Sequence, residues 1–163
     1  MRIETTRFGM INVKDGSILQ MPEGMLGFEH CKRFILLEEQ PGAAFKWMQA
    51  VDDKDVAFVI TNPCDFFPDY EVELTESQAE LMELTDPGEA VMFTTVTVGR
   101  EQGQVTTNLL GPIVINVSTL CARQIVLDDD RYGTKHLIAE DPSAIEILYE
   151  RIPDSEVSTK LAA

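Results

Sequence analysis

Residues 45–61, with the sequence FKWMQAVDDKDVAFVIT, decide the fold class of this chain. Phe45–Val51 and Val56–Thr61 are rich in aromatic and β-branched residues, which favour strands. The four residues between them, Asp52 to Asp55, have the composition of a turn. Asn62-Pro63 ends the second run, because proline cannot donate a hydrogen bond to a strand ladder. The stretch therefore predicts two consecutive strands joined by a turn.

Shorter strand-like runs lie on the N-terminal side of this stretch. Ile3–Phe8 alternates weakly, and Phe34–Leu37 is a compact apolar run. Lys14-Asp15-Gly16 predicts a hairpin that joins Met10–Val13 to Ser17–Met21, since glycine supplies the positive φ that a tight turn requires. The whole N-terminal part therefore indicates antiparallel strands.

The C-terminal side continues the pattern. Tyr70–Leu74 alternates strictly between apolar residues and glutamates, which predicts a strand with one face in solvent. Three further runs rich in Val, Ile and Thr are predicted strands: Val91–Val98, Ile113–Val117 and Ala122–Leu127.

Two short helices interrupt the predicted strands. Thr75 and Gln78 have the spacing of a capping box, which predicts a helix start. The apolar residues that follow predict one buried stripe of that helix: Ala79, Leu81, Met82 and Leu84. Asp141-Pro142 predicts a second helix over Ser143–Ile152, and the tail after Pro153 is expected to fray. Many short strands and two short helices indicate an antiparallel barrel or sandwich.

The chain is strongly acidic. Its 163 residues fit a single domain, and 28 Asp+Glu against 13 Lys+Arg give a formal net charge of −15. Residues 41–90 alone carry 12 acids and 2 bases, which is −10 of that total. Phosphate backbones and anionic lipids repel such a surface, so direct nucleic-acid and membrane binding are not expected. A regional acidic face favours a basic protein partner.

Cysteine use and segment hydropathy indicate a cytoplasmic protein. Cys31, Cys64 and Cys121 are an odd number with no C-x-x-C pair, which argues against disulfides and zinc ribbons. No apolar signal segment is expected at the N-terminus. The longest uncharged run, Gln102–Ala122, contains too many polar residues and turn formers to span a bilayer.

Catalytic, metal and cofactor sites are not predicted. His30 and Cys31 are neighbours, which point to opposite faces if they lie on a strand. Either Cys64 or Cys121 with His136 is the remaining candidate dyad, although buried structural thiols are the commoner case. The aspartates at 52–55 and 128–130 do not fit a calcium loop, and two histidines without a metal-binding spacing do not predict zinc. No phosphate-binding glycine loop occurs in the sequence, so no cofactor is expected.

Five blocks of sequence, in order, identify the chain as similar to the FliW family of flagellar assembly factors. They are PEGMLGFE (22–29), FKWMQAVDD (45–53), FFPDYEVEL (66–74), NLLGPIVIN (108–116) and QIVLDDDRY (124–132). The resemblance covers nearly all of residues 1–138. It implies a mostly β fold, a small antiparallel β-barrel-like single domain with one or two short helices. Residues 1–140 would form this β domain, and residues 141–163 a C-terminal helix and tail.

The resemblance also implies a function without catalysis. FliW-type proteins bind the RNA-binding translational regulator CsrA. This binding relieves the repression that CsrA exerts on flagellin mRNA. They also bind flagellin, so that the two partners exchange in a switch. A flagellin-only export chaperone without regulator binding is the alternative, and a small cysteine-dependent enzyme is a third.

A basic regulator fits the acidic middle of the chain. The sequence from Pro63 to Tyr70 places aromatic rings among acids, and two adjacent phenylalanines on extended backbone cannot face the same side. One ring is therefore expected at the surface as an apolar anchor. The predicted partner-binding residues are Asp65, Phe66, Phe67, Asp69, Glu71 and Glu73, with Asp52, Asp53 and Asp55 as the second choice.

Overall fold

The computed structural model describes residues 1–38, 41–99, 104–139 and 156–157. The elements are β1 (Arg2–Thr5), β2 (Gly9–Val13), β3 (Leu19–Gln20), β4 (Arg33–Leu37), β5 (Phe45–Ala50), β6 (Ala57–Thr61), α1 (Glu76–Leu81), β7 (Ala90–Val98), β8 (Val105–Thr107), β9 (Ile113–Asn116), β10 (Ala122–Gln124), β11 (His136–Ala139) and β12 (Glu156–Val157). Among the described residues, no helix is long and apolar enough to cross a membrane.

The strand pair predicted from residues 45–61 is the centre of the main sheet. β5 and β6 pair antiparallel, with Trp47 opposite Val59 and Met48 opposite Phe58. β4 joins the other edge of β5 in the same antiparallel sense. The predicted strands at Phe34–Leu37, Phe45–Val51, Val56–Thr61 and Val91–Val98 are thereby confirmed within one or two residues.

The main sheet curls into a barrel. Its strands follow the order β10-β9-β7-β6-β5-β4-β3, and β8 and β11 branch from the C-terminal half of β7. The two ends of that order meet where Gln20 bridges Cys121 and the Gln20 N–H donates to the Leu120 carbonyl over 2.9 Å. This single bridge brings the two ends of the curled sheet together and shields part of the edges that an open sheet would expose. The structure therefore confirms the antiparallel β-barrel-like class.

Both faces of the central strands are buried. Ile35, Leu37 and Trp47 pack outward against the β1–β2 hairpin, while their neighbours Phe34 and Leu36 pack into the barrel. Because each strand has a core on either side, these runs are apolar throughout instead of alternating.

The hairpin predicted at Lys14-Asp15-Gly16 is wrong. The turn exists, since Gly16 has φ of +83° and the Ser17 N–H donates to Lys14, but it does not join paired strands. β2 pairs with β1 and β12, while β3 pairs with β4 in the other sheet. β1 occupies one edge of β2, since the chain reverses between Thr5 and Gly9, where the Thr5 hydroxyl donates to the Gly9 carbonyl.

The strand predicted at Tyr70–Leu74 is also wrong, although its alternation is real. Tyr70 is buried, Val72 and Leu74 are half-buried, and both glutamates are exposed. This extended segment has no β-ladder partner among the described residues. Alternation shows only that one side of the segment is buried and the other is exposed. Here packing against side chains buries the apolar side, without a neighbouring strand.

The capping box at the start of α1 is confirmed, with the Thr75 hydroxyl accepting from the Gln78 N–H and the Gln78 side chain accepting from the Thr75 N–H. The predicted buried stripe is only partly correct: Met82 is buried, whereas Leu81 is 61% exposed. α1 is too short for a full stripe to face the barrel. The helix predicted over Ser143–Ile152 lies outside the described residues, and Glu156–Val157 of the tail pairs parallel with β2.

Candidate interaction surface

The connection between β6 and β7 is the outstanding departure from a simple barrel. These strands are antiparallel neighbours, so a turn of two to five residues could join them. Residues 62–89, 28 in all, join them instead. Long connections in compact domains usually carry a function or bind a partner. We call residues 62–89 the acidic connection.

Apolar contacts hold the acidic connection on the outside of the barrel. Met82 is fully buried against Val114 and Ile125, and Leu74 and Leu84 pack around it. Val114 can receive them because it faces outward, while its strand neighbours Ile113 and Ile115 face the barrel interior. Because its side chains alternate, β9 contributes to the barrel interior on one face and contacts the acidic connection on the other.

Two buried hydrogen-bonding groups fix the same segment. The Tyr70 hydroxyl donates to the Leu109 carbonyl over 2.7 Å. Asn116 Nδ2 donates to the carbonyls of Met82 and Glu83 over 2.9 and 3.2 Å, just beyond the end of α1. Burial raises the pKa of Tyr70, so its hydroxyl keeps the proton that it donates. The connection is therefore held in one position on the barrel.

The charge of the acidic connection is of one sign and is exposed. Residues 55–99 contain ten acids and no Lys, Arg or His. None of the nine acids between 62 and 89 forms an ion pair within the described residues. Eight of the nine are exposed: Asp65, Asp69, Glu71, Glu73, Glu76, Glu80, Glu83 and Asp86. Such a surface attracts a cationic partner over several ångströms of solvent.

The six residues from Asp65 to Glu73 that the sequence predicts first as partner-binding all lie on the acidic connection, but their surroundings differ. Asp65, Asp69, Glu71 and Glu73 are exposed. Both phenylalanines are half-buried and face different neighbours. Phe66 stacks on Phe45 of the core with ring centroids 5.8 Å apart, and Phe67 makes a T-shaped contact with His136 at a centroid distance of 5.8 Å. Neither ring projects freely into solvent.

An aromatic pocket of about 410 Å³ lies beside the acids, between residues 66–70 and segment 131–136. Tyr70 packs edge-on against Tyr132 at 4.8 Å, and the Arg131 guanidinium lies over the Tyr132 ring at 5.1 Å. Arg131 also binds Asp129 and thereby holds the pKa of that carboxyl below its usual value. The acidic surface therefore has an aromatic pocket directly beside it.

Leu81 is the exposed apolar side chain that the sequence argument missed. It is 61% exposed on α1, between the exposed acids Glu80 and Glu83. Helical periodicity placed it on the buried stripe, and only the position of the helix on the barrel shows that it faces solvent. An apolar side chain with a charged rim has the composition of an interface centre.

The second-choice acids bind groups of their own chain. Asp52 accepts from the backbone N–H groups of Lys32 and Arg33 at 2.8 and 2.9 Å, and Arg33 adds a 2.8 Å ion pair. Asp53 pairs with His30 at 2.9 Å, and Asp55 accepts from the Thr6 hydroxyl. These acids tie the β5–β6 turn to neighbouring segments, which distinguishes them from the unpaired acids of the connection.

Replacing Asp52 with alanine is expected to destabilise the protein by about 2–3 kcal/mol at neutral pH, since charge-assisted hydrogen bonds are lost. Burial acts to raise the pKa of Asp52, but its bonds to Lys32 and Arg33 outweigh this and lower it. A lowered pKa stabilises the fold above the unfolded-state pKa of about 3.9 and stops doing so as pH falls through the folded value. Chemical denaturation of Asp52→Ala at several pH values measures this.

The exposed turn acid Asp15 provides the control for that series, because Asp15→Ala should change stability by less than about 0.5 kcal/mol. The difference between Asp52→Ala and the wild type should shrink as pH falls through the folded-state pKa of Asp52, because protonation removes the charge from its hydrogen bonds. A difference as large at acidic pH as at neutral pH would contradict an electrostatic role for this carboxylate.

The surroundings of the three thiols disfavour ionisation to the reactive thiolate. Burial raises the pKa of Cys31, Cys64 and Cys121, which disfavours the reactive thiolate. The Cys64 thiol lies 3.8 Å from the Tyr70 carbonyl. His136 Nε2 accepts a hydrogen bond from the Gly133 N–H at 2.8 Å, which occupies the lone pair that a general base needs.

The strand condition on which the argument against a His30–Cys31 pair rested is not met. These residues lie in the turn and irregular segment before β4, not on a strand. His30 Nε2, Cys31 Sγ and a carboxylate oxygen of Asp53 all lie within 4.8 Å of one another. The rule of alternating faces holds only for extended, paired backbone.

Comparison with known proteins agrees with the five sequence blocks. The family model described as FliW protein matches residues 2–138. A flagellar assembly factor FliW from Geotalea uraniireducens is 44% identical over 136 residues, which cover 83% of each chain. One from Moorella thermoacetica is 33% identical over 156 residues, covering 95% of this chain and 97% of the relative. A crystal structure of the flagellar assembly factor FliW superposes with a TM-score of 0.77 at 31% identity, over 85% of this chain and 96% of that one. The chain therefore belongs to the FliW family.

Proposed function

We propose that this protein is a non-catalytic flagellar assembly factor of the cytoplasm that binds a CsrA-type RNA-binding regulator through its acidic connection. Binding withdraws the regulator from flagellin mRNA and so relieves repression of translation. The protein also binds flagellin as a chaperone, and the two partners compete. The observation that carries this proposal is the group of unpaired, exposed acids held in place on the barrel between β6 and β7.

The charge of the acidic connection matches what an RNA-binding protein presents. A protein that neutralises phosphates does so with clustered Lys and Arg. The acids of the connection form no ion pair within the described residues, so their charges are available to an outside partner. Opposite charges speed association and add specificity more than they add affinity.

Exchange between two partners requires only a difference in affinity and sites that exclude or weaken each other. The acidic face suits the basic regulator, while the aromatic pocket and Leu81 offer apolar contacts to flagellin or to the regulator. Newly made flagellin would then displace the regulator and return it to mRNA.

Titration of the full chain with purified regulator and with purified flagellin, separately and then together, tests this proposal. We expect binding of each, displacement of the regulator by flagellin, and weaker regulator binding as salt screens the acids. Flagellin binding without regulator binding at low salt would support the flagellin-only export chaperone instead. Rapid modification of a native thiol near neutral pH would support the cysteine enzyme.

Leu81→Ser is expected to weaken partner binding by roughly tenfold while leaving stability within about 0.5 kcal/mol, because an exposed side chain contributes little to folding. Leu26→Ser is the matched control, since Leu26 is 62% exposed and lies outside the acidic connection. Isothermal titration of both variants against the regulator and flagellin measures the effect. Equal affinities of the two variants for both partners would show that Leu81 is not a contact.

A further inference from the structure

A mixed set of metal-binding atoms lies at the turn before β4, away from the acidic connection. His30 Nε2, Cys31 Sγ and an Asp53 carboxylate oxygen are within 4.8 Å of one another. His30 and Asp53 are already in contact at 2.9 Å. Imidazole nitrogen, thiolate sulfur and carboxylate oxygen are the three ligand types that proteins use for zinc. The cluster is thus of mixed donors and not a group of acids alone.

The distances suit a tetrahedral ion after small side-chain movements. Ligands at the usual zinc distances of about 2.1 and 2.3 Å lie roughly 3.6 Å apart. The His30–Asp53 contact would therefore open slightly and the thiol would approach. The His30 ring is 60% exposed, whereas Cys31 is fully buried, so an ion would enter from the solvent side between the ring and Asp53.

The surrounding bonds already hold these ligands in position. Asp53 also accepts from the Asp55 N–H at 3.0 Å, which leaves its other oxygen directed at His30. Asp52, its neighbour, accepts hydrogen bonds from the backbone N–H groups of Lys32 and Arg33, the two residues that follow Cys31. The two segments that supply the ligands are therefore joined before any ion binds, which reduces the ordering that binding requires.

We propose that His30, Cys31 and Asp53 form a binding site for one Zn²⁺ ion per chain, with a fourth position open to water or to a partner's side chain. Binding releases the thiol proton of Cys31 to solvent. The proton that His30 Nε2 donates to Asp53 is also given up, either to solvent or by a change to the tautomer protonated on Nδ1, so that the Nε2 lone pair can bind the ion. The ion links the segment before β4 to the β5–β6 turn. This site is separate from the acidic connection and does not depend on the proposed function.

Competition with a chromophoric zinc chelator tests the site on the full chain, without a histidine tag and with a phosphine reductant present. We expect one equivalent of Zn²⁺ and a rise in melting temperature on binding. Cobalt(II) in its place should give thiolate-to-metal charge-transfer absorption in the near ultraviolet. Cys31→Ser should abolish this absorption.

Each of His30→Ala, Cys31→Ser and Asp53→Asn should lower zinc affinity by about tenfold or more, because each removes one of the three protein ligands. The matched controls Cys121→Ser and Asp15→Asn should bind zinc as the wild type does. His30→Ala keeps the test valid if replacement of the buried Cys31 impairs folding. Wild-type zinc affinity in His30→Ala, or cobalt binding without the charge-transfer band, would overturn the proposal.

Discussion

Reversing the charges of Asp69, Glu71 and Glu73 to lysine is expected to slow association with the regulator by roughly 10- to 100-fold at low ionic strength. The three side chains are exposed and form no ion pair within the described residues, so the variant should fold normally. The dissociation rate should change less, because exposed rim charges act mainly on encounter. Stopped-flow mixing at several salt concentrations separates the two rates.

A control with the same net charge distinguishes a local effect from a global one. Each reversal adds two charges, so three reversals move the net charge from −15 to −9. Glu4, Asp15 and Glu29 are exposed and lie outside the acidic connection, and their reversal gives the same total. Equal association rates for the two triple variants would show that net charge, and not the connection, attracts the regulator.

Asn116→Ala is expected to destabilise the protein by about 3 kcal/mol, the largest effect on stability among our predictions. Asn116 is 1% exposed, donates to the carbonyls of Met82 and Glu83, and accepts from the N–H groups of Ser118 and Thr119. Alanine leaves these groups without partners, and the midpoint temperature should fall by roughly 6–12 °C for a domain of this size.

The same variant should also loosen the acidic connection, because Asn116 holds the segment that follows α1. Regulator association should therefore slow in Asn116→Ala even at temperatures where the barrel remains folded. Asn12→Ala replaces an exposed asparagine on β2 and should change neither stability nor binding. If Asn116→Ala kept wild-type stability, the proposed attachment of the connection to the barrel would be incorrect.

The parts of the fold that could be predicted are those that depend on interactions between residues close in sequence. The β5–β6 pair and the capping box at Thr75 rest on strand propensity and on hydrogen bonds within three residues, and both are confirmed. The hairpin at Asp15-Gly16 failed because a turn motif does not specify which strands pair. The short strands β8 and β11 were missed because three or four residues carry too little pattern.

The candidate interaction surface was likewise predictable only in part. Composition alone located the unpaired acids, since one-sided charge is visible in the sequence. The attachment by Tyr70 and Asn116 was not predictable, because it joins residues 39 and 33–34 positions apart. Burial of Phe66 and exposure of Leu81 depend on how the connection lies on the barrel, which propensity does not encode.

Hydrogen–deuterium exchange of the full chain with and without the regulator tests the role of the acidic connection most directly. Bound regulator should protect amides concentrated in residues 62–89, and the protection should weaken as salt is raised. Asp52–Asp55 should change little, since those acids are occupied within the chain. Strong protection elsewhere on the barrel, with residues 62–89 unchanged at low salt, would contradict the assignment of the acidic connection as the contact surface.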